Sequence, residues 1–301
     1  MPAVSVIIPT YNCGRYLGAS LESILAQTDA DLEVVVVDDG STDETPAVLD
    51  AYAGRVRVVR GPHGGMAAAR NLGLAHAAGE WIAFHDADDL ALPDRVAVLR
   101  GALRERPDVD AVFADGARMD DSDRRLVPRE IAAHVADRPL GFADLFDGFP
   151  VYFQTALVPR RAFAAAGEFD TGIRTQPDLE YGYRLLAHCR AAWIDRVVFH
   201  YRWHDTNTTR DRLEVREDLA RILERLPSRV PQAVREVGAR RVARRLARHH
   251  FRIGELRLAR GDLGVAGAAF SRAAALRPLD PRYQWMRLRM RLRTGAGRAH
   301  P

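Results

Sequence analysis

The sequence predicts an α/β protein, with a doubly wound mixed sheet carrying helices on both faces, followed by an all-α C-terminal segment. Short apolar runs rich in β-branched residues alternate with helical patterns over the first part of the chain. This spacing is typical of right-handed βαβ units, which place parallel strands in one sheet. From Arg210 onward the pattern is helical, with breaks expected at Pro227 and Pro231. We therefore expect a sheet domain over 1–210 and a helical region over 211–301.

Four strands are predicted before residue 90, and each of the first three is followed by a helix. The first strand, 3–9, is a short apolar run rich in β-branched residues, as expected for a strand buried on both faces of a parallel sheet. Ser41 or Asp43 is the expected cap of the second helix, which has Pro46 in its first turn. The other strands are predicted at 31–37, 56–59 and 80–84, and the helices pass through 17–25, 44–52 and 67–77.

Three carboxylates, Asp86, Asp88 and Asp89, directly follow the fourth strand. Because an ionised carboxylate is costly to bury without a partner, this cluster predicts a site for a hard divalent cation. The alternative is that an acid caps the next helix, and for Asp89 alone this is the favoured interpretation. Ligands of such sheets bind at the carboxyl ends of the strands, so residues 10–11 and 38–39 are expected at the same edge.

The elements after residue 92 have weaker patterns. They include a long segment, 152–161, that is predicted as a strand leading into a helix. The others are a helix at 95–106, a strand at 110–114, a polar hairpin at 116–126, a short helix at 142–146 and a helix that begins near Asp178.

The chain contains no lysine, and its 44 basic side chains are all arginine. Schiff-base chemistry, P-loop lysines and lysine general bases are therefore excluded. Residues 1–228 carry 26 Arg and 36 acidic residues, whereas 229–301 carry 18 Arg and 4 acidic residues. With two distant cysteines, no signal-peptide pattern and no apolar run of about 20 residues, we expect a cytoplasmic protein, or one peripheral at the inner face of the membrane.

Three classes of doubly wound protein are excluded by their motifs. Residues 9–14 lack the glycine spacing of a dinucleotide-binding domain, and the Gly-Lys pair of a P-loop NTPase does not occur. A phospho-acceptor receiver domain could use Asp38 and Asp39, but the lysine that such domains use is absent from the chain.

Several short segments occur in a specific order over the first 90 residues. They are Val4–Asn12, Val34–Asp43, Ala69–Gly73 with Gly79–Ile82, and Asp86–Asp89. Each is weak evidence alone, but together they closely resemble the family 2 (GT-A fold) glycosyltransferases. The resemblance implies an enzyme that uses a nucleotide-diphosphate sugar.

The resemblance assigns the nucleotide to the ends of the first two strands. Pro9, Thr10 and Tyr11 would form the wall of its site, and Asp39 would accept a hydrogen bond from the base, with UDP the favoured nucleotide. Arg70 would face the nucleotide. The alternatives are a turn acid for Asp39 and a solvated helix arginine for Arg70.

The same resemblance implies that Asp86 contacts the ribose or a metal-bound water and that Asp88 binds Mg²⁺ or Mn²⁺. Asp178 aligns with the residue that acts as general base in an inverting transfer, although it is also placed to cap a helix. Pro177 stands where the family often has Glu, so the acid pair of the family is reduced to Asp178 with Glu180 two residues on. His204 could approach the metal or hold a structural bond in an edge strand.

The arginine-rich end contains a segment, about 247–280, that resembles one tetratricopeptide repeat. Gly254, Ala266, Phe270, Ala273 and Pro278 occupy its small, aromatic and proline positions. A single repeat must pack on neighbouring helices or on another chain. The basic charge allows docking on an anionic membrane, but a solvated surface is slightly favoured, and no motif supports nucleic-acid binding.

Two other functions are alternatives to a transferase for this chain. One is a catalytically silent protein that binds a sugar nucleotide and acts as a scaffold through its helical repeat; intact Asp86, Asp88 and Asp178 argue against it. The other is a sugar-1-phosphate nucleotidyltransferase, whose Gly-rich first loop is absent after Ile8.

Overall fold

A computed structural model of the chain describes residues 3–29, 31–129, 136–204 and 211–295. It divides into two compact units, 1–207 and 208–301. The first unit contains both β-sheets, and the second contains helices only among its described residues. No helix in the described ranges is long and apolar enough to cross a membrane.

The first sheet is built around β1 (Val4–Thr10), all of whose residues are buried. It pairs in parallel with β2 (Leu32–Asp38) on one side and with β4 (Trp81–Phe84) on the other. Beyond them lie β3 (Arg57–Arg60), parallel to β2, and β9 (Val158–Pro159), antiparallel to β4. The carboxyl ends of β1, β2 and β4 therefore meet at one edge.

Four helices cross between the early strands. They are α1 (Gly14–Leu25), α2 (Thr45–Ala51), α3 (Met66–His76) and α4 (Arg95–Glu105). Helix α3 packs closely on the sheet, because a Cβ atom at Gly73 would collide with the Ile7 side chain. This close approach brings Arg70, one turn earlier on α3, into the interior of the unit.

The second sheet contains β5 (Leu90–Ala91), β6 (Ala111–Met119), β7 (Arg125–Val127), β8 (Arg138–Leu140) and β10 (Ala191–Arg202). Their order is β5-β10-β6-β7, with β8 also paired to β10. The long strand β10 runs parallel to β6 and antiparallel to β5 and β8. Because β10 ends at Arg202, the residues that directly follow it lie beside the acid cluster at Asp86–Asp89.

The predicted strand over 152–161 is largely wrong. Phe153–Thr155 form a 3-10 helix, and only Val158–Pro159 pair as a strand before α6 (Arg160–Ala166). The turn is fixed by tertiary contacts, since the Phe153 ring is fully buried and contacts Phe84 edge-on at 5.9 Å. The remaining helices of this unit are α5 (Phe142–Asp147) and α7 (Pro177–Leu185).

The second unit contains α8 (Arg212–Arg229), α9 (Pro231–Val237), α10 (Ala239–Ala259), α11 (Leu263–Leu276) and α12 (Pro281–Gly295). The break expected at Pro227 is wrong, because α8 continues to Arg229. A proline in the last turn removes only one helical hydrogen bond. Helices α10 to α12 share a core around Phe251, Phe270 and Met290. A Cβ at Gly254 would collide with the Phe270 ring, so α10 and α11 cross closely there. The tetratricopeptide resemblance stays a prediction.

Candidate active site

An acid cluster lies at the end of β4, where the chain leaves the first sheet. The His85 backbone N–H donates to the Ile7 carbonyl at 2.9 Å, which is the last link of this strand to β1. Asp86, Asp88 and Asp89 follow, and one carboxylate oxygen from each lies within 4.8 Å of the others. The three acids predicted as a cluster are therefore held together.

Asp89 does not cap a helix, so that interpretation is wrong. Helix α4 begins at Arg95, with Asp94 in the cap position. Asp89 is fully buried and accepts a hydrogen bond from the Arg202 backbone N–H at 2.8 Å. Its carboxylate instead joins the end of β10 to the acid cluster.

Gln154 is a site residue that the sequence analysis missed. Its side-chain amide donates to Asp86 Oδ2 at 2.5 Å and lies 3.3 Å from Asp89 Oδ2. The amide is buried and bridges the two carboxylates without adding charge. No sequence signal identified it, because segment 152–161 was predicted as a strand and Gln154 matches no motif that we recognised.

His204 is brought to the acid cluster by the end of β10. Its Nε2 lies 2.8 Å from Asp88 Oδ2, and its ring stacks on Tyr16 with 5.2 Å between centroids. The Arg202 guanidinium donates to the Asp88 carbonyl at 2.8 Å and also lies over the Tyr16 ring. Asp88 is thus contacted by two residues from the end of β10.

Arg70 connects the acid cluster to Asp178. It is only 1% exposed, so the alternative of a solvated helix arginine is wrong. One guanidinium nitrogen donates to Asp178 Oδ1, and the other lies 3.6 Å from Asp86 Oδ1. The guanidinium also lies over the rings of Phe84 and Phe169, at 5.2 and 5.4 Å from their centroids. Its position is therefore fixed by packing as well as by charge.

Asp178 lies in the first turn of α7, but Gln176 is the residue at the cap position. Asp178 Oδ2 accepts a hydrogen bond from the Phe153 backbone N–H at 2.9 Å. Its other oxygen binds Arg70. The carboxylate is therefore oriented by two partners from distant segments, and its side chain is 18% exposed.

Burial raises the pKa of Asp86 to about 7, with Asp88 and Asp178 raising it further and Arg70 opposing them. The pKa of Asp89 is also raised, by burial and then by Asp88 and Asp86. Burial and the neighbouring carboxylates therefore disfavour the charged form of both acids. Asp86 Oδ1 is in addition buried without a hydrogen-bond partner. Crowded carboxylate oxygens of this kind fit a hard divalent cation, whose charge would stabilise their ionised form.

The ends of β1 and β2 form a second part of the site. Pro9 and Thr10 are buried, whereas Tyr11 is 45% exposed and its ring stacks on His63 with 4.0 Å between centroids. The Thr10 hydroxyl oxygen is buried without a hydrogen-bond partner. An exposed aromatic ring and a buried, unsatisfied hydroxyl therefore belong to consecutive residues at this end.

Asp39 organises the loop before α3. Its carboxylate accepts hydrogen bonds from the backbone N–H groups of Gly64 and Gly65, both at 2.8 Å. His63 Nδ1 lies 2.9 Å from the same carboxylate. Three donors therefore surround Asp39, and His63 is a further site residue that the sequence analysis did not identify.

Residues 5–165, more than half of the chain, match the family described as glycosyl transferase family 2. The chain belongs to glycosyl transferase family 2. Among curated relatives, GlyG, a glycosyltransferase of Streptococcus pneumoniae, is 39% identical over 124 residues, which is 40% of this chain and 41% of GlyG. EpsH of Bacillus subtilis is 30% identical over 214 residues, 67% of this chain and 61% of EpsH. The chain thus spans about two fifths to three fifths of these two relatives.

Solved structures share the fold of this family 2 chain. Staphylococcus aureus TarS 1–349 in complex with UDP-GlcNAc superposes with a TM-score of 0.71 at 18% identity, over 97% of this chain and 92% of TarS 1–349. The mannosyltransferase PcManGT of Pyrobaculum calidifontis, in complex with GDP-Man and Mn²⁺, gives a TM-score of 0.60 at 22% identity, over 98% of this chain and 80% of PcManGT. The predicted GT-A fold is confirmed.

Proposed function

We propose that this family 2 protein is an inverting glycosyltransferase that moves a sugar from a nucleotide-diphosphate sugar, a UDP-sugar by preference, to a hydroxyl of its acceptor. The observation that carries the proposal is the chain of contacts from Asp178 through Arg70 to Asp86. It joins the candidate base to the candidate diphosphate end of the site. The binding of UDP-GlcNAc by TarS 1–349, which has the same fold, supports the choice of donor.

The nucleotide would lie at the ends of β1 and β2. Tyr11 offers an exposed ring on which a base can stack, and the Thr10 hydroxyl offers an unused hydrogen-bonding group. Asp39 fixes the loop at 63–65 and retains acceptor capacity, since a carboxylate has about four lone-pair sites. A base with an imide N–H would be read by this carboxylate.

Asp86 and Asp88 would hold Mg²⁺ or Mn²⁺, with His204 as a further ligand. When bound, the cation offsets the negative charge of the departing diphosphate. Arg70 contributes a fixed positive charge beside Asp86 that does not titrate near neutral pH, because a guanidinium stays protonated. Gln154 and the Arg202 backbone N–H keep the carboxylates of Asp86 and Asp89 in place.

Asp178 would act as the general base. The Arg70 guanidinium and the Phe153 N–H both donate to its carboxylate and orient it. One carboxylate oxygen takes the proton of the acceptor hydroxyl while the hydroxyl oxygen bonds to the anomeric carbon. The bond from that carbon to the diphosphate oxygen breaks on the opposite face, so the configuration inverts.

The test is transfer from a panel of UDP-, GDP- and TDP-sugars with Mn²⁺, using wild type, Asp178→Asn and Asp50→Asn. Removal of a general base lowers turnover by about 10²- to 10⁴-fold, so Asp178→Asn should do this with little change in donor affinity. Asp50 is 74% exposed and pairs only with Arg60 among the described contacts, so its variant is the matched control.

The rival function is a silent sugar-nucleotide-binding scaffold. It predicts that the donor binds but that neither transfer nor hydrolysis exceeds the background. The transferase proposal fails if no donor of the panel is turned over, or if Asp178→Asn is as active as wild type.

A further inference from the structure

Helix α12 presents apolar side chains on two different faces. Tyr283, Met286 and Met290 are buried in the core that α12 shares with α10 and α11. Trp285, Leu288 and Leu292 point the other way and are 57%, 57% and 66% exposed. This second set has the i, i+3, i+7 spacing of one continuous helix face. It is not part of the core of its own unit.

The exposed face is bordered by positive charge. Residues 281–295 contain Arg282, Arg287, Arg289, Arg291 and Arg293 and no acidic residue. The side chains of Arg289 and Arg293 line one shallow depression together with Trp285, Leu288 and Leu292. The Arg289 guanidinium lies over the Trp285 ring, 5.2 Å from its centroid. The face is therefore apolar in its middle and cationic at its border.

The charge pattern selects one kind of partner. A second copy of α12 placed on this face would bring arginines against arginines, with no acidic residue of α12 between them. Like charges at short range oppose such a contact. An anionic lipid surface complements both features, because apolar side chains enter the acyl boundary and guanidinium groups meet phosphate. Tryptophan is also enriched at membrane interfaces.

We propose that the outer face of α12, formed by Trp285, Leu288, Leu292, Arg289 and Arg293, docks this protein on an anionic phospholipid surface. The helix would lie in the plane of the interface, since it is too polar to cross it. Region 229–301 carries 18 Arg against 4 acidic residues in total, and the arginines outside this face add long-range attraction to the same surface. The proposal does not depend on the transferase reaction.

The test is co-sedimentation of the full chain with vesicles of phosphatidylcholine alone and of phosphatidylcholine with about 30% phosphatidylglycerol, a content that gives a negative surface potential. Wild type should bind the anionic vesicles and not the neutral ones, and high salt should weaken the binding. The triple variant Trp285→Ser, Leu288→Ser, Leu292→Ser should bind at least about tenfold more weakly. The double variant Arg289→Gln, Arg293→Gln should lose about fivefold for each charge removed.

Leu126→Ser is the matched control, because Leu126 is a 44% exposed leucine in β7 of the other unit. It should bind vesicles as wild type does, and circular dichroism should show that every variant is folded. The proposal is overturned if wild type binds neither vesicle, or if the triple variant binds the anionic vesicles as tightly as wild type. It is also overturned if wild type without lipid is a dimer that the triple variant converts to a monomer.

Discussion

At the scale of single residues, the site is organised by buried arginines. Arg70, Arg95 and Arg202 are each at most 3% exposed and lie around the acid cluster. The Arg95 guanidinium donates to the carbonyl of Phe84, at the end of β4 just before the acid cluster, at 2.5 Å. Burial lowers the pKa of Arg95 to about 10, which still leaves it charged at neutral pH. A chain without lysine thus places non-titrating cations where its carboxylates are most crowded.

Gln154 gives a prediction about metal affinity. Replacing it by leucine removes the amide that bridges Asp86 and Asp89 while keeping a side chain of similar length. Loss of a group that orients metal-binding carboxylates typically costs about 10- to 100-fold in metal affinity. We expect the Mn²⁺ concentration for half-maximal activity to rise about tenfold, with turnover at saturating Mn²⁺ little changed.

Gln27→Leu is the control for this prediction. Gln27 is also buried, but its amide binds the Leu92 carbonyl and the Val96 N–H and contacts no carboxylate of the acid cluster. Its loss should lower the melting temperature without changing the Mn²⁺ dependence. An equal shift of the Mn²⁺ dependence in both variants would contradict the bridging role of Gln154.

His249 predicts how the second unit responds to acid. It is 4% exposed and its pKa is lowered to about 3, by burial and then by Arg216, Arg245 and Arg248. Below pH 6.5 the His249 side chain binds a proton in the unfolded chain but not in the folded chain. The free energy of unfolding therefore falls as the pH decreases from 6.5 towards 3. At pH 5 the loss is about 2 kcal/mol.

His249→Leu removes this proton linkage. Between pH 7.5 and pH 5, the variant should lose about 2 kcal/mol less unfolding free energy than wild type, as measured by urea denaturation. If the difference between the two proteins is the same at both pH values, the buried neutral state of His249 is refuted.

At the scale of elements, local patterns were sufficient for the parallel strands of the first sheet. β1, β2 and β4 were predicted because their residues are mainly apolar, and the acids at the ends of β2 and β4 had to gather at one edge. The 3-10 helix at Phe153–Thr155 and the buried position of Asp89 could not be predicted in this way. Both depend on partners far along the chain, Asp178 and Arg202. The outer face of α12 was not predicted, because in the sequence the apolar residues of both helix faces alternate with arginine.

Gly254 and Gly267 provide a matched test of the helix packing in the second unit. A Cβ at Gly254 would lie 2.8 Å from the buried Phe270 ring, whereas one at Gly267 would meet Met290 Cβ at an ordinary 3.8 Å. Gly254→Ala should destabilise the protein by about 1–2 kcal/mol, because overpacking outweighs the gain in helix propensity. Gly267→Ala should stabilise it by about 0.5–1 kcal/mol.

Thermal or urea unfolding of the two alanine variants checks this prediction. The opposite signs are the decisive result, since both substitutions replace a glycine inside a helix of the same unit. If both variants are stabilised, α10 and α11 do not cross as closely at Phe270 as the structure shows.

At the scale of the whole molecule, the residues of the candidate site all lie in the first unit, while the second unit has a core of its own. Ligand binding to the folded state stabilises a protein by mass action, by about 2.7 kcal/mol at one hundred times the dissociation constant. This stabilisation is expressed as slower amide exchange in the segments whose opening would expose the ligand. Hydrogen exchange would therefore report which unit holds the proposed donor.

We expect UDP with Mn²⁺ to slow amide exchange in peptides that cover Tyr11, Asp39, Arg70 and Asp86–Asp88, as measured by mass spectrometry. Peptides from α11 should exchange at the same rate with and without UDP, since no predicted ligand contact lies on that helix. Asp88→Asn should reduce the protection near Asp86 more than that near Tyr11. The substitution weakens the cation site but does not change the residues that would contact the nucleotide base. Protection of α11 equal to that of the first unit would contradict the assignment of the donor to the first unit.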